Sequence, residues 1–382
     1  MGSCPVSAGS EDTSTRGSGW TGLVYASFIC TILTVISSTI LIITHLRRYR
    51  VPAQQRQIIR IVFSLIIYTF VAFGELYDYS VAQYVDPIGD VYESFGLCAL
   101  LLLFMQYAAP SSRMDDDTFA LVKSAEDSET GFDWPRIYWI LVFQYPIFEV
   151  ASTIIVETTE ATGHYCVNSL NPIYAHLWVE AIETVSICFC MYALIRFYTH
   201  AKSLLRVRRA FTKFVCFKII VFIRFTQAWA FSFALQYGIV TTGSRFSYND
   251  ILWGIPCLLT SIEMVLFSAT FWYAYNSGDY SYESTLCLER ASVLFAILDV
   301  LDPRDLLDGF RRMFGLWQHL HGNGGWKEWR AAERRTGWVG KLRALVLKLR
   351  RTDRSSMKSD HQDGVGKLQI SAPIAMDIED VR

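Results

Sequence analysis

Residues 20–50 read WTGLVYASFICTILTVISSTILIITHLRRYR. From Trp20 to Thr44 there is no charged side chain, and then Arg47, Arg48 and Arg50 arrive close together. A helix rises about 1.5 Å per residue, so this run is long enough to cross a hydrocarbon core of about 30 Å. The basic block that follows marks a side, because Lys and Arg flanking a span stay cytoplasmic. An apolar crossing followed by a basic block is the unit from which the rest of the chain can be read.

Six more runs of this character follow: Ile58–Val81, Tyr92–Ala109, Ile137–Val156, Ile173–Tyr198, Phe211–Tyr237 and Ile251–Tyr275. The composition agrees with them. Of 382 residues, 52% are hydrophobic and 19% charged, against about 25% charged in an ordinary soluble domain. That balance excludes a disordered chain and argues against a soluble enzyme. The formal net charge of −1 hides a segregation of sign. Arg47, Arg48, Arg50, Arg56 and Arg60 lie between the first two runs or at the very start of the second, and Lys202, Arg206, Arg208, Arg209 and Lys213 between the fifth and sixth or at the very start of the sixth. Arg113, Lys123 and Arg136 lie between the third and fourth, and seventeen more basic residues follow Tyr275. The alternate loops hold only Arg16 and Arg245. The positive-inside rule then places the N-terminus outside the cytosol and the C-terminus within it. Seven crossings satisfy that arrangement; six or eight do not. The expected fold class is all-α, a polytopic bundle of seven transmembrane helices.

The expected organisation is a short disordered segment over 1–19, the bundle over 20–275 with a flexible acidic cytoplasmic loop at 110–135, a cytoplasmic tail with amphipathic helices over 276–350, and a disordered end over 351–382. No basic region precedes the first apolar run, so it is expected to be retained rather than cleaved. In the tail, Asp302-Pro303-Arg304-Asp305 has the chemistry of a helix start. Leu306, Leu307, Phe310, Met313, Phe314, Trp317 and Leu320 follow at three- and four-residue spacing, with Arg304, Asp308, Arg311 and Arg312 opposite them. Such a helix lies along the inner membrane surface or docks on the bundle. Trp317-Gln318-His319-Leu320 is also an aromatic-x-x-Leu pattern, which makes Phe310, Phe314, Trp317 and Leu320 the candidate tail-interaction residues. A second stretch, with Trp326, Trp329 and Trp338 among Lys341, Arg343 and Lys348, suits anionic lipid or a solvated tail.

Ionisable groups inside a span cost about 2.5–3.5 kcal/mol each on insertion scales and are functional candidates for that reason. Those singled out as candidates are Glu75, Asp78, Glu149, Glu180, Glu183, Lys218, Arg224 and Glu263. Glu75 with Asp78, and Glu180 with Glu183, are spaced to share a helix face. Two such faces turned inward make an acidic vestibule. Arg224 and Glu263, deeper in, are expected to form a buried ion pair, with Gln227 extending their polar stripe. The candidate polar path is therefore Glu75, Glu149, Glu183, Lys218, Arg224, Gln227 and Glu263. No P-loop, HExxH box or CxxC pair is present, so no cofactor, no metal site and no catalytic residue is expected.

Several runs resemble the fungal branch of the organic solute transporter alpha (Ostalpha) family of seven-span proteins. The basic loop with Pro52, Gln55, Arg56, Arg60 and Ile61 is similar to the family's Pro-x-x-Gln-Arg segment. Tyr92-Glu93 resembles its entry to the third span, and "FTKFVCFKIIVFIRFTQ", with Lys213, Phe217, Lys218 and Gln227, its most specific stretch. "SIEMVLFSATFWYAY" resembles its last span, with Phe271-Trp272 where many members carry a His pair. The resemblance implies facilitated carriage of amphipathic organic solutes, with a small single-span subunit as a partner of some members. Other members act at the vacuole or lysosome, one branch binding an autophagy ubiquitin-like modifier through its tail. The expected setting is a vacuolar or other endomembrane, or the plasma membrane, with lipid bilayer and solute as partners, a homo-oligomer as an option and no nucleic acid. More acids than bases lie within the spans, which favours neutral or cationic amphiphiles, or proton coupling through Glu149 or Glu183. A transporter is the first reading, a recruitment scaffold the second, and a receptor or lipid enzyme the third.

Overall fold

The computed structural model describes residues 16–109, 118–119, 122, 134–165, 172–240, 242–280 and 292–322; among them there is helix and no strand. Of the two compact units in the chain, one holds residues 1–129 and 133–318. The other, 130–132 and 319–382, lies outside the described residues except for the last turn of one helix. The second basic stretch of the tail falls there.

The long helices are α1 (Trp20–Arg47), α2 (Pro52–Tyr77), α3 (Ala82–Ala108), α4 (Trp134–Phe143), α5 (Tyr145–Ala161), α6 (Ala175–His200), α7 (Ala210–Gln236) and α8 (Ile255–Ala274). Two more, α9 (Val293–Leu301) and α10 (Arg304–Gly322), follow the bundle. Among the described residues, six helical segments are long and apolar enough to cross a membrane: α1, α2, Tyr84–Ala108 of α3, α4 with α5, α6, and Asp250–Ala274. The expected span Phe211–Tyr237 is also one continuous helix, α7, of 27 residues, but is not among those six.

On α1 and α8 the burial pattern is inside-out, while the cores of α2, α3 and α4 are apolar. On α1 the residues turned into the bundle are Ser27, Thr31, Thr34, Ser38, Leu41 and His45, at helical spacing, while Ile29, Leu33, Ile36 and Ile40 face outward. On α8, Cys257, Thr260, Ser261, Met264 and Ser268 face in and Leu266 and Tyr273 face out. Small polar residues let two helices approach closely and bond in a medium as apolar as leucine. They do so here: the Ser27 and Ser261 hydroxyls meet at 2.7 Å, and Thr69 Oγ1 donates to Thr31 Oγ1 at 3.2 Å. Helix α2 is largely buried, enclosed by α1, α3, α8 and α9.

Local chemistry explains the breaks. Pro52 starts α2 where its missing N–H costs nothing. Gln55 closes the preceding turn, its Oε1 accepting from the Arg50 and Val51 amides at 2.7 and 2.9 Å and its Nε2 donating to the Arg48 carbonyl at 2.8 Å. The expected fourth span is two helices, because Pro146 cannot donate across the junction at Gln144. There Gln144 ties to α6, donating to the Ser186 carbonyl and accepting from the Ser186 hydroxyl, each at 3.0 Å.

Helix α3 begins at Ala82 and not at Tyr92 as expected. Pro87 and the acids around it read as loop, but proline is tolerated near a helix start and this one lies inside the helix. The correction matters because it carries Asp86 and Asp90 onto α3.

Helix α10 docks on the bundle. Asp302 Oδ1 accepts from the Arg304 amide at 3.0 Å, the start its sequence announces. Asp305 takes Arg60 at 2.8 Å and Arg56 at 3.3 Å from the base of α2, and also Gln57. Arg56 bridges on to Asp299 of α9 at 3.1 Å. Gly309 fits against Phe143 so closely that a Cβ there would lie 2.3 Å from the ring, and the Gly309 carbonyl accepts from Trp139 Nε1 at 3.0 Å.

Candidate functional site

Helix α3 carries Asp86, Asp90 and Glu93 at positions i, i+4 and i+7, one face of a helix over about 10 Å. Two cations from α7 meet that face. Arg224 Nη2 donates to Asp86 Oδ1 at 2.8 Å, with its guanidinium 5.1 Å from the centre of the Tyr68 ring. Lys218 is paired with Glu93 Oε1, while Tyr68 OH donates to Glu93 Oε2 at 2.9 Å. Phe217 crosses the same gap, lying where a Cβ on Gly96 would be 2.7 Å from its ring tip. Helix α7 packs its backbone most closely on α8 and reaches α3 by these long side chains. The result is a polar seam between two helices.

Exposure falls along the seam. The side chain of Asp86 is 40% exposed, Arg224 18%, Lys218 11% and Glu93 2%. The seam is open at the end where Trp20 and Tyr77 lie and closed at Glu93, Lys218 and Tyr68. Glu75 enters the open part from α2 and is buried, its Oε2 accepting from the Cys257 thiol at 3.0 Å, with Asp86 and Arg224 as charged neighbours. At the closed part, Glu149 of α5 is buried beside Tyr145, Glu93 and Lys218. Glu183 of α6 lies beside Glu149 and Ser152. Six carboxylates, Glu75, Asp86, Asp90, Glu93, Glu149 and Glu183, thus surround two cations.

Of the residues expected on the path, the structure brings Glu75, Glu149, Glu183, Lys218 and Arg224 together. Gln227 and Glu263 are bonded to each other between α7 and α8, with Arg224 as a charged neighbour. Arg224 takes Asp86 in place of the expected Glu263. Asp86 stands on the facing helix at the same level, and Gln227 has already engaged Glu263. The expected acidic pairs do not hold either. Asp78 lies past the end of α2 in extended backbone, where Ser80 binds its carboxylate, so it leaves the face that Glu75 keeps. Glu180 points outward and meets His176 at 3.7 Å, leaving only Glu183 turned in. Sequence reading missed Asp86, Asp90, Glu93 and Tyr68. The i, i+4, i+7 spacing of the three acids was the available signal.

Both ends of the bundle are fastened by carboxylates. At the open end, buried Asp250 accepts from the Gly17 amide at 2.7 Å, the Ser247 amide at 2.8 Å and Tyr79 OH at 2.8 Å. Burial, and then the bond to Asp250, raise the Tyr79 phenol above its usual range. The Ser80 hydroxyl and amide hold the Asp78 carboxyl below its ordinary value, with Arg16 helping. At the other end, Tyr49 OH donates to Asp299 Oδ2 at 2.5 Å, and burial followed by that carboxylate raises its phenol. Of the tail residues, Phe310 packs on Phe143 and Phe95, with ring centres 5.3 and 6.2 Å away. Phe314 and Trp317 are 55% and 49% exposed. The side chain of Leu320 lies outside the described residues.

A helical bundle with long apolar helices, small polar residues buried along α1 and α8 while their large apolar residues face outward, and paired charges between its helices is a multi-pass membrane protein. Residues 23–280 match the family model described as Organic solute transporter Ostalpha, and the chain belongs to that family of transporters. It is 27% identical over 286 residues to "Vacuole membrane protein hfl11" of Schizosaccharomyces pombe. The match covers 72% of this chain and 66% of that relative, so the chain spans just under two thirds of the relative's length. No solved structure matches it.

Proposed function

We propose that the chain is a carrier of amphipathic organic solutes in an endomembrane, with α7 as a seventh span, its N-terminus outside the cytosol and its C-terminus within it. The supporting observation is the seam. Helices α3 and α7 are bridged by Lys218, Arg224 and Phe217, and side-chain exposure falls from Asp86 to Glu93. Carriers hold solutes between helices near the membrane midplane, where a polar lining replaces lost water. The closed end at Glu93, Lys218 and Tyr68 is then the gate, and solute moves when those contacts open. The basic residues from Arg47 to Arg60 and after Tyr275 support the orientation. The vacuole-membrane relative supports the endomembrane setting. Uptake of a sterol-like or lipid-like solute into vesicles containing the purified chain tests the reading. A rate equal to that of empty vesicles for every such solute overturns it.

One observation favours a second reading, a platform that recruits a ubiquitin-like modifier. Phe314 and Trp317 are exposed on one side of α10. Because Asp305, Gly309 and Phe310 hold α10 to the bundle, deleting 302–350 would damage the carrier as well. Phe314→Ala with Trp317→Ala separates the two functions: recruitment is lost and uptake persists.

A further inference from the structure

Helix α9 turns its one polar side chain inward. It starts after Ser292, whose hydroxyl oxygen accepts from the Phe295 amide at 3.3 Å, and reads VLFAILDVL. Ala296 is buried with Tyr49 and Ile59, and Ile42, Leu46 and Val300 pack around them. Asp299 faces the same way and is held by Arg56 and Tyr49. The other six residues, Val293, Leu294, Phe295, Ile297, Leu298 and Leu301, are 39–72% exposed. A helix on a watery surface does the reverse, and an apolar face of this extent needs a cover.

The position of α9 names the cover. At about 1.5 Å per residue, a hydrocarbon core of about 30 Å entered at Trp20 ends near Ile40. Ile42 and Leu46, on which α9 packs, therefore lie at the far boundary of that core. Next to them on α1, Ile40 and Ile43 face outward, 47% and 38% exposed. On α2, Phe63 is 40% exposed one turn beyond the covered Ile59. The bare side of α9 thus continues a surface that α1 and α2 turn to lipid. Basic side chains stand at the same end. Arg47 and Arg48 are exposed where α1 stops, and Arg304 and Arg311 of α10 are 85% and 84% exposed.

We propose that α9 is set side-on into the bilayer boundary, with its six bare residues among acyl chains and those four arginines on headgroup phosphates. The sequence offers that place to α10, which docks on the bundle instead. The leaflet is the cytoplasmic one on the orientation proposed above. The acyl contact itself rests only on α9 lying at the Arg47 end of α1.

The test uses the full chain in vesicles of phosphatidylcholine and phosphatidylserine, with a diazirine on one acyl chain of a tracer phosphatidylcholine. Illumination makes a carbene that inserts into neighbouring side chains, and mass spectrometry reads where. Label is expected on Leu294, Leu298 and Leu301 as on Ile36 and Ile40 of α1, and not on the exposed Asp308 of α10. Leu294→Asp with Leu298→Asp is expected to cut the label over 293–301 by about ten-fold or more, because aspartate is far costlier than leucine beside acyl chains. Leu294→Met with Leu298→Met is expected to keep it, and label on α1 reports the fold of both variants. Label on α1 but none on α9, label on α9 from a water-soluble diazirine equal to that on Asp308, or equal label in the two variants overturns the proposal. Replacing the phosphatidylserine by phosphatidylcholine is expected to lower the label on α9; an unchanged label overturns the headgroup contact. Protease digestion of isolated endomembranes reads the orientation separately. A protected tail overturns that orientation, while acyl label on α9 still bears out its insertion.

Discussion

Arg60 holds the tail to the bundle, and its removal has a calculable effect. Its guanidinium donates to Asp305 at 2.8 and 2.9 Å, to the Asp302 carbonyl at 2.6 Å and more weakly to the Val300 carbonyl at 3.3 Å, with the side chain 13% exposed. Hydrogen bonds to charged groups contribute about 1.5–3 kcal/mol each, and bonds within one network do not add. Asp305 also keeps Arg56 at 3.3 Å and Gln57 after Arg60→Ala. The loss for local opening of α9 and α10 is then about 2–3 kcal/mol. At about 1.4 kcal/mol per decade, amide exchange over residues 293–318 quickens about 30- to 150-fold. Hydrogen exchange read by mass spectrometry on the purified chain measures it. Arg311→Ala is the control, because its pair with Asp308 at 3.4 Å is exposed on both sides and such pairs contribute little. Exchange in Arg60→Ala indistinguishable from wild type, or an equal change in Arg311→Ala, refutes the reasoning.

Three further outcomes follow from the same contacts. Gly309→Ala, whose Cβ would lie 2.3 Å from Phe143, destabilises the docked helix by about 1–3 kcal/mol, whereas Gly315→Ala, with nothing within 4 Å, is neutral or stabilising by about 0.5–1 kcal/mol; thermal unfolding of both checks this. Lys218→Met strands the buried Glu93 carboxylate and costs about 3–5 kcal/mol, most of it recovered in Lys218→Met with Glu93→Gln, as a double-mutant cycle on unfolding shows. The Asp78–Ser80 contact gives its stabilisation fully above the ordinary carboxylate value of 3.8 and loses it as pH falls through the lowered folded value; Ser80→Ala moves that loss to higher pH, read by exchange at the Ser80-to-Val81 amides.

Six of the expected runs were legible as helices able to cross a membrane because a stretch of about twenty mostly apolar residues keeps that character whatever the detail of packing. The start of α10 was legible for a local reason, since Asp302 and Asp305 act on amides and side chains near them. Its docking was not, because Arg60 and Asp305 are far apart in the chain and either could have met water or lipid headgroups. The first turns of α3 were hidden by Pro87, whose usual meaning is a break, and with them went Asp86 and Asp90. The partner of Arg224 was illegible for another reason. Depth pointed to Glu263; with α3 extended to Ala82 Asp86 also comes within reach, and the rotation of α7 about its axis, set by packing on α8, decides between them. The acidic pairs failed at helix ends: Asp78 is claimed by Ser80, and Glu180 sits on the outward side of α6.

The central claim is that solute passes between α3 and α7. Asp90 is half-buried in that seam between Asp86 and Glu93, so Asp90→Trp fills it without removing either ion pair. The decisive measurement is solute uptake into vesicles by Asp90→Trp beside wild type, with unfolding midpoint and α10 exchange recorded on the same preparations. The account predicts that uptake falls to the rate of empty vesicles while both stability readouts stay at wild-type values. A folded Asp90→Trp chain that takes up solute at the wild-type rate contradicts it.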